Sequence, residues 1–120
     1  LHPVLNFLDK NSRPAYADRR VDFLPCYFHE VPWLLRSGDF PVDVAIIQVS
    51  PPNEQGYCSF GVSCDYTKCA AEIAPIVIAE VNKQMPFIGG DNLIHVTKLD
   101  YIVPTNEPLV EIPTANIGPV

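Results

Sequence analysis

The sequence predicts an α/β domain, built as a layered, mostly parallel open sheet with flanking helices. Two β-branched runs, 42–50 and 76–82, have the continuous apolar character of strands in parallel sheets. Helix-forming segments lie before and between these runs, at 29–38 and 64–74. This alternation is typical of layered α/β proteins. With 120 residues and 48% apolar content, the chain is the size of one domain with a core.

The first forty residues carry weaker signals. Residues 1–20 are mixed and polar, and no element is predicted there. Residues 21–28, VDFLPCYF, have the composition of a strand, and Pro25 predicts an edge strand or a bulge because proline cannot donate to a sheet. Pro32 near the start and Gly38 at the stop predict a short helix over 29–38.

The remaining elements follow in alternation. The strand 42–50 stops at two prolines, and a helix is predicted over 64–74 with Asp65 as a possible N-cap. After the strand 76–82 comes a turn, and then three short pieces: LIHV, a turn or short helix TKLD, and the strand YIVP. From Thr105 onward the prolines predict an extended linker.

The two central strands carry more apolar surface than the predicted helices can cover. Both have apolar residues on both faces, yet only two short helices are available to cover them. Uncovered, the valines and isoleucines would form a patch above the few hundred Å² that a soluble monomer tolerates. We therefore expect an incomplete domain that belongs to a larger protein or packs firmly on a partner. The absence of an initiator methionine favours the first alternative.

Charge and hydropathy exclude several functions. A formal net charge of −6 without clustered Lys and Arg argues against nucleic-acid or anionic-membrane partners. The apolar stretch 73–81 is about half the length of a membrane span and contains Pro75 and Glu80. The first residues lack the basic and apolar regions of a signal peptide, so a cytoplasmic location is expected.

The four cysteines, at positions 26, 58, 64 and 69, are predicted to be small core residues. Disulfides are not expected without a secretory signal. Zinc with His29 and His95 as further ligands is the alternative, but no C-x-x-C pair is present, and no metal site is predicted.

The loop 50–61 is the first candidate site, because it follows the carboxyl end of a central strand, where α/β proteins bind ligands. Gly56 and Gly61 permit close backbone approach, and Ser59 and Ser63 offer hydroxyls. The alternative is a proline-terminated hairpin with ordinary turn residues.

Three other polar residues stand out. His29 and Glu30 could transfer protons, although the commoner explanation is a helix-start glutamate beside a polar boundary residue. Glu80, inside an apolar strand, requires either a partner or a place near the strand end. Neither a phosphate-binding glycine loop nor a serine elbow is present, so no complete active site can be assembled from these residues.

Four segments together resemble a known family: VDFLPCYFHEVPWLL, VDVAIIQVSPPNEQGYCSFGVSCDYT, IVIAEVNKQMP and IHVTKLDYIV. Their order and spacing are similar to those of the acetyl-CoA hydrolase/transferase family, within the class I CoA-transferases. CoA-transferases of the 4-hydroxybutyrate or butyrate–acetate type look most similar. The resemblance runs from about Arg13 to Ile117.

The resemblance implies a two-domain subunit. Residues 1–104 correspond to the later part of the first domain, and 105–120 to a linker toward a second domain that is missing here. The catalytic glutamate of the family lies in that second domain, so no catalytic residue is expected in this chain. Coenzyme A is implied as a substrate, together with a short-chain carboxylate, no covalently bound cofactor and a homodimeric assembly.

The resemblance also implies a mechanism and a site. The glutamate forms a glutamyl-CoA thioester, which passes CoA to a second carboxylate in a cleft that excludes water. The cleft-lining positions implied in this chain are Ser50, Pro51, Gly56, Ser59, Gly61, His29 and Glu30. The intact protein is expected to be an enzyme, with acyl-CoA hydrolysis or a non-catalytic scaffold of the same fold as alternatives.

Overall fold

The computed structural model describes residues 2–114. The chain divides into two compact units, with the division between Pro41 and Val42. Within the described residues no helix has the length and apolarity needed to cross a bilayer, and no group of three or more His, Cys, Asp or Glu side chains is placed to hold a metal ion.

The first unit contains short elements. Strand β1 (Val4–Leu5) pairs in parallel with β2 (Asp22–Phe23), and helix α1 (Ser12–Ala17) lies between them in sequence. A 3-10 helix (Phe28–Glu30) leads directly into α2 (Val31–Ser37). The predicted helix over 29–38 is confirmed, with proline in its first turn and Gly38 closing it at φ 84°.

Two predictions for this unit need correction. Residues 1–20 do contain regular structure, because the Asp9 carboxylate accepts the Ser12 backbone N–H at 2.7 Å and so supports the start of α1. The Ser12 hydroxyl, which donates to the same carboxylate, and this backbone hydrogen bond together lower the pKa of Asp9. The strand predicted over 21–28 ends at Phe23, since Pro25 has no N–H with which to continue pairing.

The second unit is built on a parallel sheet, as predicted. Its strands are β3 (Val44–Val49), β5 (Ile76–Asn82) and β7 (Tyr101–Thr105), in the order β3-β5-β7. Helix α3 (Asp65–Ile73) lies between β3 and β5 in sequence. An antiparallel pair, β4 (Tyr57–Ser59) with β6 (Leu93–His95), completes the unit, and a 3-10 helix (Val96–Lys98) precedes β7.

The core lies on one face of the parallel sheet. Ala45, Ile47 and Val49 of β3 pack with Val77 and Ala79 of β5. Side chains from β4, the following loop, α3 and β6 cover them: Cys58, Phe60, Ala71 and Ile94. Phe60 is fully buried, and burying one such side chain contributes about 1.5–3 kcal/mol.

The opposite face of the same sheet, which we call the outer face, is open among the described residues. Val44 and Ile46 of β3 are 43% and 76% exposed, and Tyr101 of β7 is 62% exposed. The apolar side chains of the outer face are those of Val44, Ile46, Ile76, Ile78, Tyr101 and Val103. The predicted shortage of cover is therefore present in the structure.

The ends of two elements differ slightly from the predictions. Cys64 is the N-cap of α3 and Asp65 its first residue, although the Asp65 carboxylate still accepts the Thr67 N–H at 2.9 Å. Strand β7 extends through Thr105, where the linker was predicted to begin. Residues 106–114 have no regular structure, and the remainder of the predicted linker lies outside the described residues.

Cys58 is expected to resist thiol reagents in the folded protein. It is fully buried in the core, and burial raises the pKa of its thiol, so little reactive thiolate forms at neutral pH. Mass-spectrometric mapping after iodoacetamide treatment should show Cys58 unmodified until guanidinium is added. Modification of native Cys58 as fast as the half-buried Cys26 would contradict this packing.

Candidate functional site

The candidate site begins where β3 ends. The Ser50 N–H donates to the Ser59 carbonyl at 2.8 Å, and the Ser59 N–H donates back to the Ser50 hydroxyl at 2.9 Å. Both serines are buried. The turn that carries Pro51 and Gly56 is therefore fastened at its base, between the end of β3 and β4.

The Ser59 hydroxyl connects this turn to a distant loop. It donates to the Ile88 carbonyl at 2.8 Å and accepts the N–H groups of Ile88 and Gly61, each at 3.0 Å. One donor and two acceptor positions are all that a serine hydroxyl offers. Because its hydrogen-bonding capacity is filled within the chain, Ser59 supports the loop from inside and is not poised as a nucleophile.

Two glycines allow close approach in this region. Gly61 has φ 59°, and an added Cβ would lie 2.9 Å from the Pro86 carbonyl oxygen and would also meet the Met85 side chain. Gly56 has φ 81°, and a Cβ there would lie 2.7 Å from Nε2 of His95. Both positions need the left-handed backbone that glycine adopts without strain.

Asn92 is a buried member of the site that sequence reasoning missed. Its side-chain amide donates to the Gly61 carbonyl at 3.0 Å and lies 3.4 Å from the Ser59 hydroxyl. Its Oδ1 atom is buried and has no hydrogen-bond partner among the described residues. In the sequence, Asn92 follows Gly90 and Asp91 and has the ordinary composition of a turn.

An ion pair ties α3 to the same loop. The Lys68 ammonium donates to the Asp91 carboxylate and, at 3.3 Å, to the Asp91 carbonyl. This hydrogen bond lowers the pKa of Asp91 and raises that of Lys68. The attraction therefore persists at neutral pH and is lost as the pH falls through the lowered pKa of Asp91.

His95 is a second residue that the predictions did not place at the site. Its ring meets Tyr57 edge to face, with 5.0 Å between ring centroids. The Thr97 N–H donates to its Nδ1 atom at 3.3 Å, and Nε2 faces Gly56. No local sequence signal identifies this cluster, because Tyr57 and His95 meet only through the pairing of β4 with β6.

His29 and Glu30 belong to the first unit and perform structural roles there. The Glu30 carboxylate accepts the Tyr27 N–H at 2.7 Å in a capping box, and the His29 ring stacks on Tyr27 at 5.7 Å. The helix-start interpretation of Glu30 is thus confirmed. Their assignment to the cleft stays a prediction.

Polar residues also occupy the carboxyl end of β5. Glu80 accepts the Thr105 hydroxyl at 3.0 Å, so the partner expected for this carboxylate is found on the adjacent strand. Asn82 is buried, accepts the Gln84 N–H at 3.0 Å and donates to the Glu107 carbonyl at 2.8 Å. These bonds fasten the first residues after β7 to the sheet.

A cavity of about 550 Å³ lies between α3 and the segment from β6 to β7. Its wall contains Lys68 and Lys98 as well as Glu72 and Asp100, so its formal charge is balanced. The Asp100 carboxylate accepts the Val77 N–H at 2.8 Å, near the amino end of β5. The cavity therefore extends from the amino end of β5 to Lys68 and His95, two residues that also contact the candidate site.

The structure thus brings together part of the predicted site. Ser50, Ser59 and Gly61 are buried within one loop assembly, whereas Pro51 lies at its surface and Gly56 is half-buried. Phe60, in the same loop, belongs to the hydrophobic core. Whether these positions line a cleft stays a prediction.

The parallel α/β fold agrees with comparisons to known proteins. The family model for the acetyl-CoA hydrolase/transferase N-terminal domain matches residues 5–113 of this chain. The chain belongs to this family.

Among curated relatives, a 4-hydroxybutyrate coenzyme A transferase of Clostridium kluyveri is 54% identical over 95% of this chain and 27% of its own length. The crystal structure of a 4-hydroxybutyrate CoA-transferase from Porphyromonas gingivalis is 58% identical, with a TM-score of 0.73 over 92% of this chain and 29% of that one. RipA from Yersinia pestis is 32% identical, with a TM-score of 0.87 over 98% of this chain and 29% of its own. The chain thus spans less than a third of these proteins.

Replacing Ser59 by alanine should loosen the loop assembly. The change leaves the N–H groups of Gly61 and Ile88 without their acceptor, which costs about 1–3 kcal/mol when the groups are buried. Hydrogen exchange should accelerate by roughly tenfold or more at these two amides. Ser63→Ala, at a half-buried neighbour, should leave both amides protected; equal effects of the two changes would contradict the assigned role of Ser59.

Gly61→Ala should destabilise the protein more than Gly90→Ala. Both glycines have positive φ, but only Gly61 lacks room for a Cβ, since nothing lies within 4 Å of the Gly90 position. We expect about 1 kcal/mol for Gly90→Ala from strain and about 1–3 kcal/mol more for Gly61→Ala from overpacking. The change in thermal midpoint of each variant measures its loss of stability. Equal changes for Gly61→Ala and Gly90→Ala would show that the Met85 contact at Gly61 is not tight.

Proposed function

We propose that the whole protein transfers CoA between a short-chain acyl-CoA and a carboxylate of the 4-hydroxybutyrate, butyrate or acetate type. The observation that supports this most directly is the 54% identity, over 95% of the chain, to a protein named 4-hydroxybutyrate coenzyme A transferase. Other relatives named for the transfer of CoA between butyryl-CoA and acetate agree with the same substrate class.

The proposed chemistry is covalent and proceeds through a glutamate outside these 120 residues. Its carboxylate attacks the thioester carbonyl of the acyl-CoA, and expulsion of CoA thiolate leaves a mixed anhydride. The thiolate then attacks the glutamyl carbonyl, which releases the first carboxylate and forms a glutamyl-CoA thioester. The second carboxylate repeats these steps in reverse order, so that new acyl-CoA leaves and the glutamate is restored.

In this scheme the described chain supplies a wall of the cleft. An anhydride is lost if water reaches it, so the site must be closed and rigid. Pro51 and Pro52 stiffen the turn after β3, and the paired hydrogen bonds between Ser50 and Ser59 hold its base. Pro51 and Gly56 would face the cleft, and Ser50, Ser59 and Gly61 would hold them in place.

The proposal extends to the second domain, the assembly and location of the subunit, and coenzyme A. Residues 105–120 would lead toward a second domain that carries the catalytic glutamate, and the subunit would form a homodimer in the cytoplasm. Coenzyme A would enter as a substrate, with no other cofactor.

Two other functions would follow from the same fold. Acyl-CoA hydrolysis requires only that water reach the glutamyl-CoA thioester, and the family description includes hydrolases. A scaffold would keep the fold without the chemistry.

The test is an isotope exchange assay on the intact protein. Acetyl-CoA and labelled butyrate or 4-hydroxybutyrate are incubated with it, and labelled acyl-CoA and free CoA are quantified together. We expect acyl-CoA formation to exceed CoA release. Release of CoA without transfer would establish hydrolysis, and no turnover with any of these acids would favour the scaffold.

The wall is tested by Pro51→Gly in the same assay. A more mobile turn should admit water, so the ratio of CoA release to transfer should rise several-fold. Pro75→Gly is the matched control, because Pro75 precedes the amino end of β5, at the opposite edge of the sheet. An unchanged ratio of CoA release to transfer for Pro51→Gly would show that this turn does not help to close the cleft.

A further inference from the structure

His95 lies where the turn 51–56 meets strand β6. It is the last residue of β6 and pairs with Tyr57 in the register of the β4–β6 pair. A Cβ added to Gly56 would lie 2.7 Å from Nε2 of His95, so the imidazole ring occupies the space beside Gly56 that a larger residue would fill. The same ring meets the Tyr57 ring edge to face. The imidazole therefore packs against the last residue of the turn and the first residue of β4.

Thr97 fixes the orientation of this ring. The Thr97 N–H donates to Nδ1 of His95 at 3.3 Å, so His95 caps the 3-10 helix Val96–Lys98. The Thr97 hydroxyl oxygen lies 2.9 Å from the same nitrogen. Because an N–H group can only donate, Nδ1 must carry a lone pair, and the proton of the neutral ring is on Nε2. Thr97 thus determines which edge of the ring faces Gly56.

The turn has its own internal hydrogen bonds but is attached to β6 only at the Gly56 end. The Asn53 side chain accepts the Tyr57 N–H at 2.9 Å, and the Gly56 N–H donates to the Asn53 carbonyl at 3.0 Å. These bonds shape the turn without anchoring it to a neighbouring element. The anchor is the Gly56 carbonyl, which accepts the Val96 N–H at 2.9 Å directly beside the His95 ring.

We propose that His95 is a positioning residue of the cleft wall, whose ring, oriented by Thr97, holds the Gly56 end of the turn in place and so helps to exclude water. The inference rests on the proposed transfer reaction, whose anhydride and thioester must be shielded from water. The bonds between Ser50 and Ser59 hold the base of the turn, and His95 holds its other end. This role is one of packing and involves no proton transfer by His95.

The test compares His95→Asn with His95→Phe in the exchange assay on the intact protein. Asparagine retains an acceptor for the Thr97 N–H, since it is a preferred N-cap residue, but it removes the ring. Phenylalanine retains a ring that packs on Tyr57 and has no titratable nitrogen. From the strength of an edge-to-face pair, we expect the ratio of CoA release to transfer to rise roughly three- to tenfold in His95→Asn and to stay within about twofold of the wild-type ratio in His95→Phe.

The ratio separates positioning from a loss of folded protein, because release and transfer come from the same enzyme molecules. A wild-type ratio in His95→Asn would overturn the proposal. A ratio in His95→Phe as high as that in His95→Asn would also overturn it, since the ring would then not be the feature that matters. His2→Asn is the matched control, at an exposed histidine of the first unit, and an equal rise in this variant would contradict the assignment to His95.

Gly56→Ala tests the same contact from the other side. The added methyl group displaces the His95 ring, so the ratio should rise. In the double variant Gly56→Ala/His95→Asn the methyl group meets no ring, and the ratio should equal that of His95→Asn alone. Multiplication of the two effects would overturn the proposal. If His95→Asn does not fold, an unchanged ratio in Gly56→Ala would overturn it.

Hydrogen exchange at the Val96 amide measures the attachment of the turn without any turnover. Exchange should be several-fold faster in His95→Asn than in the wild-type protein and unchanged in His2→Asn, because only the first variant removes the ring beside this hydrogen bond. Equal exchange in all three proteins would overturn the proposal. Absence of transfer by the unmodified protein, in contrast, would refute the proposed function and leave the exchange rates to decide whether His95 holds the turn.

Discussion

The rest of the structure depends on a parallel sheet that its own chain covers on one face. Pairing of β3 with β5 in register aligns Ala45, Ile47 and Val49 with Val77, Ala79 and Val81. Helix α3, the β4–β6 pair and the loop that carries Phe60 lie over this apolar face, and Val96 and Leu99 pack at its margin. The same alternation places Val44 and Ile46 on the outer face, where the described chain has nothing to cover them.

The loop after β3 follows from the same arrangement. Where a strand ends inside the core, its last buried N–H and C=O groups still need hydrogen-bond partners. The chain accomplishes this with Ser50 and Ser59, whose backbone and hydroxyl groups satisfy one another. The prolines then turn outward on a fixed base. A rigid edge at the carboxyl end of the sheet is thus a consequence of satisfying hydrogen bonds, and the proposed enzyme would use that edge to exclude water.

Local patterns predicted the elements more successfully than the contacts between them. The runs 42–50 and 76–82 and the helices near 29–38 and 64–74 are long or periodic enough to be recognised from sequence. Helix α1 is only six residues long and depends on the Asp9 carboxylate. The roles of Ser59 and Asn92 could not be foreseen, because their partners lie 29 to 33 residues apart in the chain. The inward direction of Phe60 likewise depends on the tertiary fold.

The central claim is that this sheet needs more polypeptide than the 120 residues supply. It is tested most directly by measuring hydrophobic-dye fluorescence during thermal unfolding of the chain alone and of the intact protein. The account predicts that the chain alone binds dye at low temperature and melts gradually, while the intact protein binds little dye and melts cooperatively. A chain that melts sharply by itself and ignores the dye would contradict the account.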